Sequence, residues 1–330
     1  MSGIQPTGEI HIGNYFGAIE NWVRLQDEYE CFFAVVDYHA ITSPYEPGSY
    51  HALIEDAVVS LLAAGLDPDR CHLFLQSEVS QHTELAWILT TLAPLGQLHR
   101  MTQFKDKGGN TSGGSISAGL LMYPVLQAAD ILIYKADRVP VGEDQVQHLE
   151  LARTLARRFN GTYGDVFPEP QPLLTRARRI LGLDGQSKMS KSKGNHFGLL
   201  DPPEIIREKM ATAFTDPQRK RRSDPGRPEV CNVFTLHHYF SDAGTIARVD
   251  RECRSAEIGC FEDKMMLADN MIAALAPMRE RAAELRGDPG RVREVLAQGR
   301  ERAQEVASET MGEVRAALGL WQTSKQDAIK

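Results

Sequence analysis

Six apolar residues in a row, Cys31-Phe-Phe-Ala-Val-Val36, leave this chain few folds to choose from. A strand that is apolar at every position is buried on both faces, as happens inside a parallel sheet covered by helices on each side. The surrounding pattern agrees. His72 to Leu75 reads as the next strand, with Ile131 to Tyr134 and Val139 to Val141 as further strands. Between them lie helical stretches: Pro47 to Leu62, stopped by Gly65; Thr83 to Leu92; and about Val146 to Phe159, entered from Gly142-Glu-Asp-Gln145. Strand and helix in alternation predict an α/β fold, a Rossmann-like doubly wound parallel sheet.

At 330 residues the chain has length for about two domains. Its texture changes after a Gly/Ser/Lys-rich segment, Gly185 to Asn195, beyond which the pattern is almost wholly helical. The expected organisation is a catalytic domain over 1–185, a loop over 186–200, a helical domain over 201–290 and a terminal helical segment over 291–330 that packs back on the first domain. Asp201-Pro-Pro-Glu204 has the form of a helix start, with an N-cap acid and a first-turn proline. Gly108 to Ser117, within a loop of about 106–117, is Gly/Ser-rich and without period, which suits a surface loop or a mobile lid beside a site.

Composition removes several function classes. A net charge of −7, from 37 Lys+Arg against 44 Asp+Glu, does not suit a protein that coats nucleic acid, although Arg219-Lys-Arg-Arg222 could be a local phosphate-contacting patch or a solvated loop. No apolar run approaches the ~20 residues of a membrane span, and the N-terminus has neither a basic nor an apolar leader region. Five cysteines, Cys31, Cys71, Cys231, Cys253 and Cys260, are too few and too scattered for a disulfide framework and fit a reducing cytoplasm.

Two constellations carry chemistry. In Ser2-Gly-Ile-Gln-Pro-Thr-Gly8 and His11-Ile-Gly-Asn14, glycines at 3, 8 and 13 stand at a strand-to-helix crossover, where open α/β sheets bind ligands and helix amides meet phosphate. Gly13 would let a flat base lie on the backbone, and His11 and Asn14 would donate to phosphate oxygens; a plain glycine-rich turn is the alternative. In Lys188-Met-Ser-Lys-Ser192, two lysines three apart flank a serine in a glycine-rich loop, which suits charge developing on a leaving polyphosphate.

Together these segments resemble the HIGH-type and KMSKS signatures of the class I aminoacyl-tRNA synthetases, and the chain is most similar to the bacterial tryptophanyl-tRNA synthetases. The resemblance runs through 2–19, 36–42, 73–79, 100–107, 122–134, 139–153 and 188–195, in the family's order. It implies activation of L-tryptophan by ATP with Mg2+, transfer to tRNA(Trp), a homodimer without membrane attachment, and a helical anticodon-binding domain. It implies an ATP site from Gln5, Pro6, Thr7, Gly13, Asn14, Gly142, Glu143, Asp144 and Ile180, closed by Lys188, Met189, Ser190, Lys191 and Ser192. His11, Asn14, Lys107, Lys188 and Lys191 would do the catalytic work. Asp130 would accept the indole N–H, with Gly3, His39, Tyr123, Gln127, Val141 and Gln145 completing the pocket.

Three features depart from the family. Only Met1 precedes Ser2, where members carry several more residues, including an aromatic that borders the indole; either the true start lies upstream, or the first strand is incomplete and the pocket less enclosed. Gln127 stands where many members have methionine. Cys231, Cys253 and Cys260 have the spacing of a family iron–sulfur motif whose fourth cysteine is here Asp263, and no cluster or other metal is expected. The rival readings are the sister tyrosine enzyme and a tryptophan- or adenylate-binding paralogue with a regulatory or delivery role and weak tRNA charging.

Overall fold

The computed structural model describes residues 1–102, 104, 117–142, 145–174 and 180–321. Strands β1 (Ser2–Ile4), β2 (Cys31–Val35) and β3 (Cys71–Leu75) form a parallel sheet in that spatial order. Gly3 pairs with Ala34, and Ala34 with Phe74. A second parallel pair joins β4 (Arg138–Val141) to β5 (Gln171–Leu174).

The first helices are α1 (Ile12–Asn14), which runs through a π-wound turn (Tyr15–Ile19) into α2 (Glu20–Leu25), then α3 (Asp37–Ala40), α4 (Pro47–Ala63), α5 (Gln81–Leu92) and α6 (Leu95–Leu98). Next come α7 (Ala118–Leu132) and α8 (Val146–Tyr163). Their arrangement explains the unbroken apolar run of β2. Phe33 and Val35 join one core with Trp22 and α4, while Phe32, Ala34 and Val36 join the other with α5, α7 and α8. α4 stops as its sequence suggests: Gly65 takes φ +114°, and Leu66 N–H returns to Leu61 O, closing a Schellman-type cap.

Two local expectations fail. Ile131 to Tyr134 is not a strand: Ile131 and Leu132 end α7, and Ile133 and Tyr134 lie in the turn that follows. That end of α7 is buried all round, so its apolar run has no helical period to read. Asp201 is not the N-cap of α9 (Pro203–Thr212), a place taken by Pro202. Its carboxylate instead accepts Gly198 N–H at 2.8 Å and Lys209 Nζ at 2.7 Å.

The chain continues through α10 (Asn232–Phe240), α11 (Ala243–Arg254), α12 (Cys260–Gly287) and α13 (Pro289–Ala317). Leu267, Met271 and Leu275 of α12 join the core that holds α4. α13 enters that core through Val292 and Val295 and the opposite one through Ala303, Ala307 and Met311. It crosses the edge of the sheet at Gly299, where a Cβ would collide with the Leu73 carbonyl. Its outer contacts grip the segment after β3: Gln304 Nε2 donates to Glu78 O at 2.7 Å, and Arg315 pairs with Glu84.

Candidate active site

The crossover after β1 is built by its own side chains. His11 Nδ1 accepts Asn14 N–H at 3.2 Å, and Asn14 Oδ1 accepts His11 N–H at 3.1 Å, a reciprocal cap that starts α1. An accepting Nδ1 puts the ring proton on Nε2. Burial, followed by the charges of Lys191, His196 and Lys188, pushes the His11 pKa down to about 4. The imidazole is therefore neutral near pH 7, a donor without a charge. Gly13 has a further reason to be glycine. A Cβ there would come within 2.9 Å of the His11 ring, so this glycine makes room for the imidazole of its own cap.

The lysine-bearing loop is tied to that crossover. Lys191 Nζ donates to Gly8 O at 3.0 Å and lies 3.5 Å from Thr7 Oγ1. Backbone bonds join the flanking segments, Ile12 N–H to Phe197 O and Leu199 N–H to Ile10 O. Inside the loop Asn195 is the hub: its Oδ1 accepts Ser190 N–H at 2.8 Å, and its Nδ2 donates to Asp184 and Ser187, each at 2.9 Å. Met189 is buried in the core, while Lys188 points to solvent. Ile180, expected in the ATP site, gives its carbonyl to Met189 N–H and buries its side chain. Ser190 and Ser192 hydroxyls bond each other at 2.9 Å.

Beyond the C-terminal ends of β2 and β3 lies a buried acid. Asp130, in the last turn of α7, is 4% exposed. His39 Nε2 meets its Oδ2 at 2.7 Å, and His82 Nδ1 and Gln76 Nε2 both meet its Oδ1 at 2.7 Å. Burial works to raise the carboxyl's pKa. The charge of His39 and the N–H groups of His39 and His82 outweigh it and hold the group well below the usual carboxylate range. Around it, Tyr123 OH meets His148 Nε2 at 2.8 Å, and burial pushes the phenol up to about 12. Gln127 Nε2 donates to Gln145 Oε1 at 3.2 Å, so two residues expected in the pocket hold each other. Val141 is buried at the end of β4. Gly3 lies in β1, where a Cβ would press on Val36 and the Ala34 carbonyl.

Sequence reading passed over Gln76, His82, Tyr134 and Asn195. Nothing local marks His82, which opens a helix in ordinary company and gains meaning only by meeting Asp130, 48 residues away. Lys107, Glu143 and Asp144 lie outside the described residues, as does nearly all of the 106–117 loop.

In the helical part, burial raises the thiol of Cys231 to about 11 and also raises that of Cys253. Asp263 accepts from His237 Nε2 at 3.0 Å. Two members of the basic quartet are used internally: Arg219 donates to Ile258 O at 2.6 Å and Arg222 to Glu257 O at 3.3 Å. Lys220 and Arg221 remain exposed.

Comparison with known proteins gives a consistent result. Residues 1–276 match the family described as tRNA synthetases class I (W and Y). The tryptophan–tRNA ligase of Deinococcus radiodurans is 50% identical over 324 residues, covering 97% of this chain and 98% of its own length. That of Parasynechococcus marenigrum is 47% identical, covering 97% of each chain. The crystal structure of tryptophanyl-tRNA synthetase from Campylobacter jejuni, complexed with ADP and tryptophan, superimposes with a TM-score of 0.89 at 34% identity, covering 97% of this chain and 99% of that one.

Proposed function

The chain belongs to the class I tRNA synthetases for tryptophan and tyrosine, and on that premise we propose that it is a tryptophan–tRNA ligase. It activates L-tryptophan with ATP and passes the amino acid to tRNA(Trp). The observation that carries the pocket assignment is Asp130, an anionic acceptor held by three donors beyond the sheet ends. An oxygen of the tryptophan carboxylate attacks the α-phosphate, the bond to the β-phosphate oxygen breaks, and pyrophosphate leaves. A terminal ribose hydroxyl of the tRNA then attacks the acyl carbon and releases AMP.

The first step asks for alignment and charge neutralisation rather than a protein nucleophile. Gln5, Pro6, Thr7, Gly13 and Asn14 cradle the nucleotide, with Gly142, Glu143, Asp144 and Ile180 on its ribose and base. Neutral His11 donates from Nε2 to a phosphate oxygen. Lys188 to Ser192 close over the pyrophosphate with Lys107 opposite, and the tie from Lys191 to Gly8 supports that reading. Mg2+ enters with ATP as part of the substrate. Asp130 accepts the indole N–H, and a side chain without a donor leaves a buried lone pair unmet, worth several kcal/mol of discrimination. His39, Tyr123, Val141 and Gly3 wall the pocket, and Gln127 steadies Gln145 for the substrate's polar end.

We assign 1–185 to catalysis, 186–200 to the lysine loop, 201–290 to anticodon binding and 291–330 to a helix returning to the catalytic domain. Asp263 already serves His237, which supports the reading that the three nearby cysteines hold no cluster. The protein works in the cytoplasm as a homodimer; no helix among the described residues is long and apolar enough to cross a membrane. Tryptophan-dependent ATP–pyrophosphate exchange, with tyrosine as control, followed by charging of tRNA(Trp), tests the whole. Exchange and charging with tryptophan alone are expected. Exchange without charging would make it a paralogue, and no exchange would overturn the assignment.

A further inference from the structure

We infer that His82 is a positioning residue for tryptophan recognition, turning Oδ1 of Asp130 away from the substrate so that Oδ2 alone presents a free lone pair. The inference rests on the reading of Asp130 as the acceptor of the indole N–H. A carboxylate oxygen offers two lone pairs. Oδ1 spends both, on His82 Nδ1 and Gln76 Nε2, each at 2.7 Å. Oδ2 spends one on His39 Nε2 at 2.7 Å and, among the described residues, keeps the other. One acceptor position is thus left on the buried acid, with its direction fixed. Without His82 the carboxylate could rotate about χ2 and offer either oxygen.

The proton on His82 is set from behind. His82 Nε2 lies 2.7 Å from Tyr134 OH. A phenol donating to Nε2 leaves the hydrogen on Nδ1, which then points at Asp130. Burial raises the Tyr134 pKa far above its ordinary value, so this hydroxyl stays a donor. The ring cannot swing away: it stacks on Phe32 with centroids 4.5 Å apart and packs edge-on against Phe74 at 5.7 Å. His82 and Gln76 are both 0% exposed, so no water competes for the carboxylate from that side. The chain Phe32, Tyr134, His82, Asp130 is a rigid shell behind the reading atom, the arrangement that keeps a site in register.

A merely structural histidine and a positioning one differ in what they do to substrates with and without the indole hydrogen. The test is kcat/KM in pyrophosphate exchange for tryptophan and for its benzothienyl analogue, in which sulfur replaces N–H. It is run on the parent, His82→Leu, His82→Asn, Tyr134→Phe and Asp130→Asn, each with a thermal melt. The ratio of the two kcat/KM values is the readout. His82→Leu is expected to cut the preference for tryptophan about 10-fold or more, chiefly through KM. His82→Asn, whose amide can donate from the Nδ1 position, is expected to restore most of it, and Tyr134→Phe to fall between. Equal losses on both substrates in His82→Leu would overturn the proposal. If that variant does not fold, an unchanged preference in Tyr134→Phe overturns it instead. Asp130→Asn separates the two claims. A parent-like preference there would sink the reading of Asp130 itself, whereas its loss there with retention in His82→Leu would sink only the role of His82.

Discussion

His11 caps α1 and faces the charges of Lys188 and Lys191, and both tasks require its Nδ1 to be bare. The consequence for stability has a definite sign. The unfolded histidine titrates near 6.5, the folded one near 4, so between these values the unfolded state binds more protons. The stabilising contribution is complete above pH 6.5 and is lost as pH falls toward 4. In His11→Asn, which keeps a capping acceptor, the melting temperature should fall less between pH 7 and pH 5 than in the parent. Parallel pH curves for the two proteins would mean that His11 titrates normally. At this scale the strand-to-helix crossover over 2–14 was legible, because its glycines and polar groups are neighbours in the chain. It was not legible for Gln76, His82, Tyr134 or Asn195, whose partners are met only after folding. Gly13 shows a mixed case: the need for a glycine was readable, but not that the protein's own imidazole also requires it.

Two elements carry predictions of their own. The lysine loop has little regular structure and depends on Asn195, whose side chain bonds Ser190 N–H, Asp184 and Ser187. Asn195→Ala should leave the fold intact and the KM for tryptophan unchanged while lowering the exchange kcat about 10-fold, since the lysines lose their preset position. A raised tryptophan KM with normal kcat would place the effect elsewhere. The second element is α13. Alanine is the better helix former by about 1 kcal/mol, yet at Gly299 its methyl would strike the Leu73 carbonyl. Forcing the helix off the strand costs roughly 1–3 kcal/mol, so Gly299→Ala should melt several degrees lower than the parent. Because α13 also grips Glu78 and Glu84, next to Gln76 and His82, tryptophan KM should rise with it. An unchanged melting temperature would show that the crossing has slack. The apolar run of β2 announced its own strand because both faces are buried, and the same property disguised the end of α7. A short apolar run buried all round has no period, and only its length and its place after Ala118 separate helix from strand.

A chain of net charge −7 has ample polar surface, yet α5 and α6 expose Trp87 at 71% and Leu95 at 60%. Single apolar side chains on a surface need no explanation; for these two, on helices consecutive in the chain, we propose burial against another subunit. Their helices also pack on α7, the element that carries Tyr123, Gln127 and Asp130. Self-association here would brace the pocket of each subunit from outside, as α13 does from its own side. Sedimentation velocity should therefore give twice the chain mass for the parent at micromolar concentration. Trp87→Glu, which puts a charge where the exposed indole stands, should sediment as a monomer with an unchanged far-ultraviolet spectrum. If bracing matters, the monomer's tryptophan KM should rise several-fold while tyrosine remains excluded. A parent that sediments at one chain mass would remove the homodimer from the assignment, and a dimeric Trp87→Glu would move its interface to another face.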